Sequence, residues 1–384
     1  MATGNNAVAN QQPIDYDLHG VVGIRLINPT EKDARAVVGQ LGPAHKPLDR
    51  DPDIIIRFQE KIDTPNLTNV GLHAGYTKDA FYILRSSKAP AKVRIPFDEI
   101  GNDQFEILCQ SGMRSVPLLI AIINLTFLKK NYLPLHASAF KYNGLNVVLV
   151  GWAKGGKTEA LISFANNGAH YIADEWTIFS EDGQQMFGIP EPIRLWDWHF
   201  QYIPGIEKEI KSQKKFLFKG IHALDSVNNG FRNIGLGKFF PIKMLGEALP
   251  AFKRQLNIRI LPEKLFDNRF CDGAAPEKLF MIMSHQESDI RVESCDPMEI
   301  ARQMLSSNEF EQMPFLEFYY AFKFAFPDRE NEFIENIQER MAAILMRVFD
   351  GVEAYRVRHP YPFSFHELFK KMQPFCEKKQ EVMS

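Results

Sequence analysis

Between about residues 20 and 108, short β-prone runs at 21–26, 53–58, 80–84 and 93–96 alternate with turn-rich connections. Apolar runs of this length bounded by Gly, Pro and Asp read as strands, so the pattern predicts a β-rich N-terminal portion over 19–110. The most apolar stretch, 116–128, is interrupted by Asn124 and Thr126 and closed by Lys129-Lys130. A bilayer span needs about 18 or more apolar residues, so 115–130 is predicted to be a buried core helix. Residues 135–142 and 145–150 are both β-prone, and Asn143-Gly144 between them is the preferred two-residue turn of an antiparallel hairpin. Residues 159–167 read as a short helix stopped by Gly168, and 170–179 as one further strand. The stretch 184–275 has no clear period. It carries Trp196, Trp198, several prolines and a basic run at 211–215 that reads as a solvated face. Beyond it, 279–283 predicts a strand, and Asp296-Pro297-Met298-Glu299 predicts an N-cap, a proline at N1 and a capping-box acid. A helix is expected from Asp328 to about Phe349, then a strand over 352–358. A terminal helix is expected behind the capping box Ser364-Phe365-His366-Glu367.

The segment Gly151-Trp152-Ala153-Lys154-Gly155-Gly156-Lys157-Thr158 fits G-x-x-x-x-G-K-[ST] at every fixed position and follows the apolar run Val147-Val148-Leu149-Val150 directly. Strand, glycine-rich loop and helix start then stand in the order a phosphate-binding loop needs. Backbone N–H groups and the positive end of the helix converge on one anion. Residues 151–158 with Glu159 form the expected nucleotide-binding set. Lys157 is expected to reach the β- and γ-phosphate oxygens, and the Thr158 hydroxyl to ligate the Mg²⁺ that accompanies a nucleoside triphosphate, ATP or GTP.

Phosphoryl transfer further needs a group that orients or deprotonates the acceptor. The adjacent acids Asp174 and Glu175 are candidates for that role and for metal binding. Neighbours on an extended strand point to opposite faces, so both acids can serve one site only where the strand frays or bulges. Asp174 is read as the base and Glu175 as a metal ligand. His136, on the strand that the hairpin places beside the loop, is the other titratable candidate; on spacing alone a lone histidine in a β run is more often a hydrogen-bonded structural residue.

Composition narrows the classes. With 384 residues, 45% hydrophobic and 24% charged, the chain is expected to be an ordinary soluble protein with a substantial core. A formal net charge of −2 gives no general attraction to nucleic acid or anionic lipid, so neither is an expected partner. Four scattered cysteines form no C-x-x-C pair, which fits a reducing cytoplasm. The first residues are polar and lack a secretory pattern, so 1–18 is expected to be a disordered tail, with 19–110 the β-rich portion and 111–375 the core that carries the phosphate loop. Oligomeric state, a homo-oligomer included, is left open.

Leu135-His136-Ala137-Ser138-Ala139, then Asn143-Gly144, then the run from Gly151 through Asp174-Glu175-Trp176 resembles the core of the bacterial HPr kinase/phosphorylase family. The resemblance is specific over 135–180 and weaker over 277–370. It implies an α+β, phosphoenolpyruvate carboxykinase-like P-loop core with a mixed, β-rich sheet and flanking helices. It also implies that His136 matches the family's active-site histidine, Lys157 and Thr158 the phosphate and Mg²⁺ contacts, and Asp174 with Glu175 the catalytic and metal-binding acids. Departures are visible: the family usually has two aspartates at 174 and 175, and small or polar residues where this chain has Trp152, Ala153 and Lys154. The signature used for phosphorolysis is not found. The function expected is therefore a Mg²⁺/ATP-dependent kinase acting on a serine-like hydroxyl of a protein, peptide or small molecule. The competing reading is a nucleotide-binding regulatory or assembly module with little turnover; a P-loop motor or GTPase fits the antiparallel hairpin less well.

Overall fold

Asn143 and Gly144 both take positive φ, 50° and 78°, and the hairpin they form is the seed of the site-bearing sheet. The computed structural model describes residues 12–43, 47–84, 91–233, 240–253 and 255–378. The chain starts in an eight-stranded sheet built from β1 (Ile14–Leu18), β2 (Val22–Ile27), β3 (Ile54–Gln59), β4 (Thr68–Val70), β5 (Ala74–Tyr76), β6 (Ala80–Leu84), β7 (Ala91–Pro96) and β8 (Phe105–Gln110), in the order β1-β2-β3-β8-β7-β6-β5-β4. Since Ile14–Leu18 pairs with β2, ordered chain begins before residue 19; the first eleven residues lie outside the described residues.

A helix that the strand pattern did not predict, α1 (Glu31–Leu41), follows β2. Thr30 and Asp33 close a reciprocal capping box at its start, satisfying two backbone donors that a helix end leaves over. The apolar stretch then forms α2 (Leu119–Lys129), buried along most of its length as expected.

From there β9 (Leu133–Leu135), β10 (Ser138–Tyr142), β11 (Leu145–Val150), α3 (Lys157–Ala165), β12 (His170–Ala173), β13 (Thr177–Phe179) and β14 (Gln185–Gly188) follow in order. Residues 192–268 form a second compact unit. Within it β15 (Ile193–Trp196) pairs antiparallel with β16 (Asn257–Ile260), alongside α4 (Ser212–Asn233), α5 (Phe240–Lys253) and α6 (Pro262–Leu265). The first unit resumes with β17 (Gly273–Ala274), β18 (Lys278–Ser284), β19 (Arg291–Cys295), α7 (Pro297–Ala325), α8 (Glu332–Glu335), α9 (Ile337–Phe349), β20 (Glu353–His359) and α10 (Phe365–Met372). The portion expected over 19–110 thus shares one compact unit with most of the core expected over 111–375, and 192–268 separate from that core as the second unit.

The expected α+β class holds. A six-stranded mixed sheet has the order β12-β10-β11-β18-β20-β19, and a four-stranded one β17-β14-β13-β9. In the former, β11 lies between antiparallel β10 and parallel β18. Tyr142 pairs with Leu145 across the predicted turn.

Two predicted strands are each broken in the middle. Residues 135–142 split at His136–Ala137 between β9 and β10, and 170–179 split at residues 174–176 between β12 and β13. Because β9 pairs with β13 and β10 with β12, the two chains pass from one sheet to the other side by side. The helix expected from Asp328 begins only at Glu332 and is interrupted at Asn336. Asn331 caps it and also donates its amide to Phe97 O and Ile100 O at 2.6 and 2.8 Å, which fixes where the helix starts. Asp296 caps α7 as predicted, but the Glu299 carboxylate bonds Arg356 at 2.8 Å.

The core is continuous through this first unit. Phe97 packs on Phe315, Tyr319 and Phe322 of α7, joining the N-terminal sheet to the helix that flanks the site. Among the described residues, no helix is long and apolar enough to cross a membrane.

Candidate active site

The loop that leaves β11 has glycine where nothing else fits. A Cβ on Gly151, at φ 146°, would meet Ile282 O of the neighbouring strand β18. One on Gly156, at φ 107°, would stand 2.7 Å from His359 Nε2. His359 is buried at the end of β20, with Nε2 2.9 Å from Gly155 O and Nδ1 2.7 Å from Pro360 O. It ties the loop to the strand two places away in the sheet.

Lys157 opens α3 with its side chain turned back into the loop, where Nζ donates to Gly151 O at 2.9 Å and Trp152 O at 3.2 Å. An ammonium has three donors, so one remains to serve a phosphate oxygen. Burial pulls Lys157 below the ordinary lysine range, against the opposing charges of Glu175, Asp174, Glu311 and Glu159. Lys154 takes φ 63° and is exposed at the tip, while Phe164, stacked on Phe140 at 4.6 Å, anchors α3 to β10.

The broken strand resolves the problem of two adjacent acids. Glu175 sits at φ 64°, a left-handed conformation uncommon for a residue with a side chain. The Trp176 N–H closes onto Asp174 O at 2.8 Å. This bend lets the two acids meet different partners in one site. Asp174, 3% exposed, accepts from Ser138 Oγ at 2.6 Å and lies 3.3 Å through either oxygen from Thr158 Oγ1. Burial, reinforced by the Glu175 charge, pushes its carboxyl up to about 7. Glu175 is half-exposed, and its Oε2 lies 3.3 Å from His136 Nε2.

His136 stands in the break between β9 and β10, buried, with Trp176 tilted over it at 5.7 Å. Its Nδ1 is 2.8 Å from Glu311 Oε1, within ion-pair distance but off the axis of a hydrogen bond, so charge attraction carries that contact. Burial opposes the imidazolium most strongly, yet Glu175 and Glu311 together outweigh it and leave the ring's pKa raised. The His136 N–H points to Asn308 Oδ1 at 3.3 Å, and Asn308 Nδ2 donates to Pro134 O at 2.9 Å. The expected residues His136, Lys157, Thr158, Asp174 and Glu175 therefore come together.

Sequence reasoning missed Ser138, Asn308, Glu311 and His359. The α7 pair had a readable signal. Its apolar stripe at Ile300, Ala301 and Met304 resumes at Phe315, Leu316, Tyr319 and Phe322. Between them the slots that continue the same face hold Ser307, Asn308, Glu311 and Gln312. Polar residues on the core face of a helix require polar partners.

The donor set of Thr158, Asp174 and Glu175 is all oxygen, which suits Mg²⁺. Mg²⁺ is commonly held by one or two carboxylates together with substrate phosphates. Among the described residues the group spaced to share an ion is elsewhere, at His285, Glu287 and Asp289; it lies at the surface, and Arg291 pairs with both acids. Neither the protein-family models nor the curated proteins compared with this chain give a match.

Proposed function

We propose that the chain is a Mg²⁺/ATP-dependent phosphotransferase with a phosphoenolpyruvate carboxykinase-type, HPr-kinase-like P-loop core. It transfers the γ-phosphoryl group to a serine-like hydroxyl of a protein, peptide or small molecule. One observation carries this reading. A single bend after β12 sets the buried Asp174 carboxylate against the Thr158 hydroxyl, and the half-exposed Glu175 carboxylate against His136.

That division assigns the roles differently from the sequence reading. Asp174 and Thr158 would hold Mg²⁺, which neutralises charge on the polyphosphate. Glu175, reachable from solvent, takes the acceptor proton. The acceptor oxygen bonds to the γ-phosphorus as the bond to the β–γ bridging oxygen breaks, and ADP departs with that oxygen. Lys157 supplies charge to the phosphate oxygens, and His136, whose pKa the two carboxylates raise against burial, serves as a donor toward the transferring group. Position and electrostatics are what such a loose transition state asks of a protein.

The test is incubation with γ-labelled ATP and a lysate of the protein's own cells. Glu175→Gln should keep Mg-ATP affinity and lose label transfer, whereas Asp174→Asn should lose the Mg²⁺ dependence of ATP binding. A wild-type protein that binds Mg-ATP but neither labels an acceptor nor hydrolyses ATP would sink the kinase reading and leave a nucleotide-binding regulator.

A further inference from the structure

The second residue of the loop has a side chain that the phosphate cradle does not use. Trp152 is 51% exposed, and its indole lies 4.9 Å from the ring of Phe310 on α7, tilted by 33°, with Phe310 itself 50% exposed. Only the Trp152 backbone takes part in the cradle, through its carbonyl oxygen. Phe310 immediately precedes Glu311, the residue whose carboxylate reaches His136. The aromatic pair therefore links the phosphate loop to α7, the helix whose Glu311 reaches His136, and so flanks the reacting end of the loop. Two large rings half in water leave apolar area unburied. They also offer a surface on which a third ring packs at the usual 4.5–7 Å centroid separation of aromatic pairs.

Resting on the kinase reading above, we propose that Trp152 and Phe310 form the acceptor-recognition site and take a flat, uncharged aromatic group next to the phosphorylated hydroxyl. The side chain of an aromatic residue adjacent to a serine in a peptide has this form. The charges nearby disfavour an acidic flank: the partly exposed Glu175 and Glu311 both stand against His136, so a carboxylate there would meet two others, while a neutral ring meets none of that repulsion.

Fluorotryptophan-labelled protein gives one fluorine signal for each of the four tryptophans, and Trp152→Phe assigns the signal of interest. N-acetyl-phenylalanyl-serine amide and N-acetyl-alanyl-serine amide are titrated in the presence of Mg-ADP, and adenosine is titrated alone. The phenylalanyl peptide should shift the Trp152 signal saturably and bind at least about tenfold more tightly than the alanyl one, or about 1.4 kcal/mol. Phe310→Ala should remove that preference while the other three signals stay in place. No response, an equal response to both peptides, or a Trp152 shift driven by adenosine overturns the proposal. Label transfer from γ-labelled ATP to the same peptides separates the two ideas. Preference without transfer counts against the kinase reading alone, and transfer without preference counts against the aromatic site alone.

Discussion

Asp174→Asn keeps the size of the side chain and fixes it in an uncharged form, so it isolates what burying this carboxyl does to the fold. Burial and the Glu175 charge raise the group from an ordinary value of 3.8 to about 7. The folded chain then holds a proton that the unfolded chain releases. The stability linked to that proton is complete below the unfolded value and is lost as pH rises through the folded one. A gap of about three pH units at about 1.4 kcal/mol each sets a ceiling of about 4 kcal/mol. In metal-free buffer the variant should therefore be more stable than wild type by up to that amount near pH 7, with the advantage shrinking to below about 1 kcal/mol near pH 4. Urea unfolding at several pH values reads this directly as the difference in midpoint at constant slope. Mg-ADP should narrow the gap, because a bound cation favours the ionised carboxylate that only wild type has. An advantage for the variant that stayed constant across this pH range would refute the reasoning, since Asp174 would then already be ionised in the folded chain.

Lys157→Ala should weaken Mg-ATP binding about ten- to a hundredfold, since a hydrogen bond to a charged group is worth about 1.5–3 kcal/mol; equal affinities by calorimetry would remove the phosphate-loop assignment. Glu311→Gln should destabilise the fold by about 1–3 kcal/mol. That loss should be larger below the ordinary histidine range than above it, because the raised His136 contributes stability at low pH that fades as pH climbs through its folded value; melting temperatures on both sides give the sign. Gly156→Ala, forced into positive φ against His359, should lower stability by on the order of 1–3 kcal/mol and weaken Mg-ATP binding; near-normal values for both would mean that His359 does not brace the loop. Phe164→Ala, which empties the space between Phe140 and Phe369, should cost about 3–5 kcal/mol in denaturant unfolding.

Local chemistry made part of this fold readable in advance. The Asn-Gly turn, the apolar run before the loop and the caps at Asp296 and Ser364 each dictate backbone within a few residues, and each is found where expected. Sheet changes are another matter. His136–Ala137 and residues 174–176 interrupt runs whose β propensity continues across the break, because both chains leave one sheet for the other at those points. Nothing in a strand-like run states which sheet it will join. The inserted unit at 192–268 was illegible for a related reason. The solvent-facing side of α4 carries Phe216, Leu224, Val227 and Phe231, and that exposed apolar set blurs the helical period that would have announced the helix.

The site was legible where residues act through sequence neighbours and illegible where they act across the fold. Lys157 and Thr158 belong to one loop, and the acid pair betrays itself by adjacency. Glu311 reaches His136 from a helix 175 positions further along the chain, and no spacing rule links the two. What the sequence does hold is a local anomaly. A helix that buries Met304 and Phe315 on one face presents Ser307, Asn308, Glu311 and Gln312 on the turns between, all of them at least partly buried. A buried polar group without a partner costs about 1–3 kcal/mol, so such an interruption would be lost from a helix that only filled a core. Asn308 spends its amide on Pro134 and its oxygen on the His136 N–H, and Glu311 spends its charge on the same histidine. Those two residues of the polar stripe are intelligible as the means by which α7 holds one imidazole at the place where two sheets part.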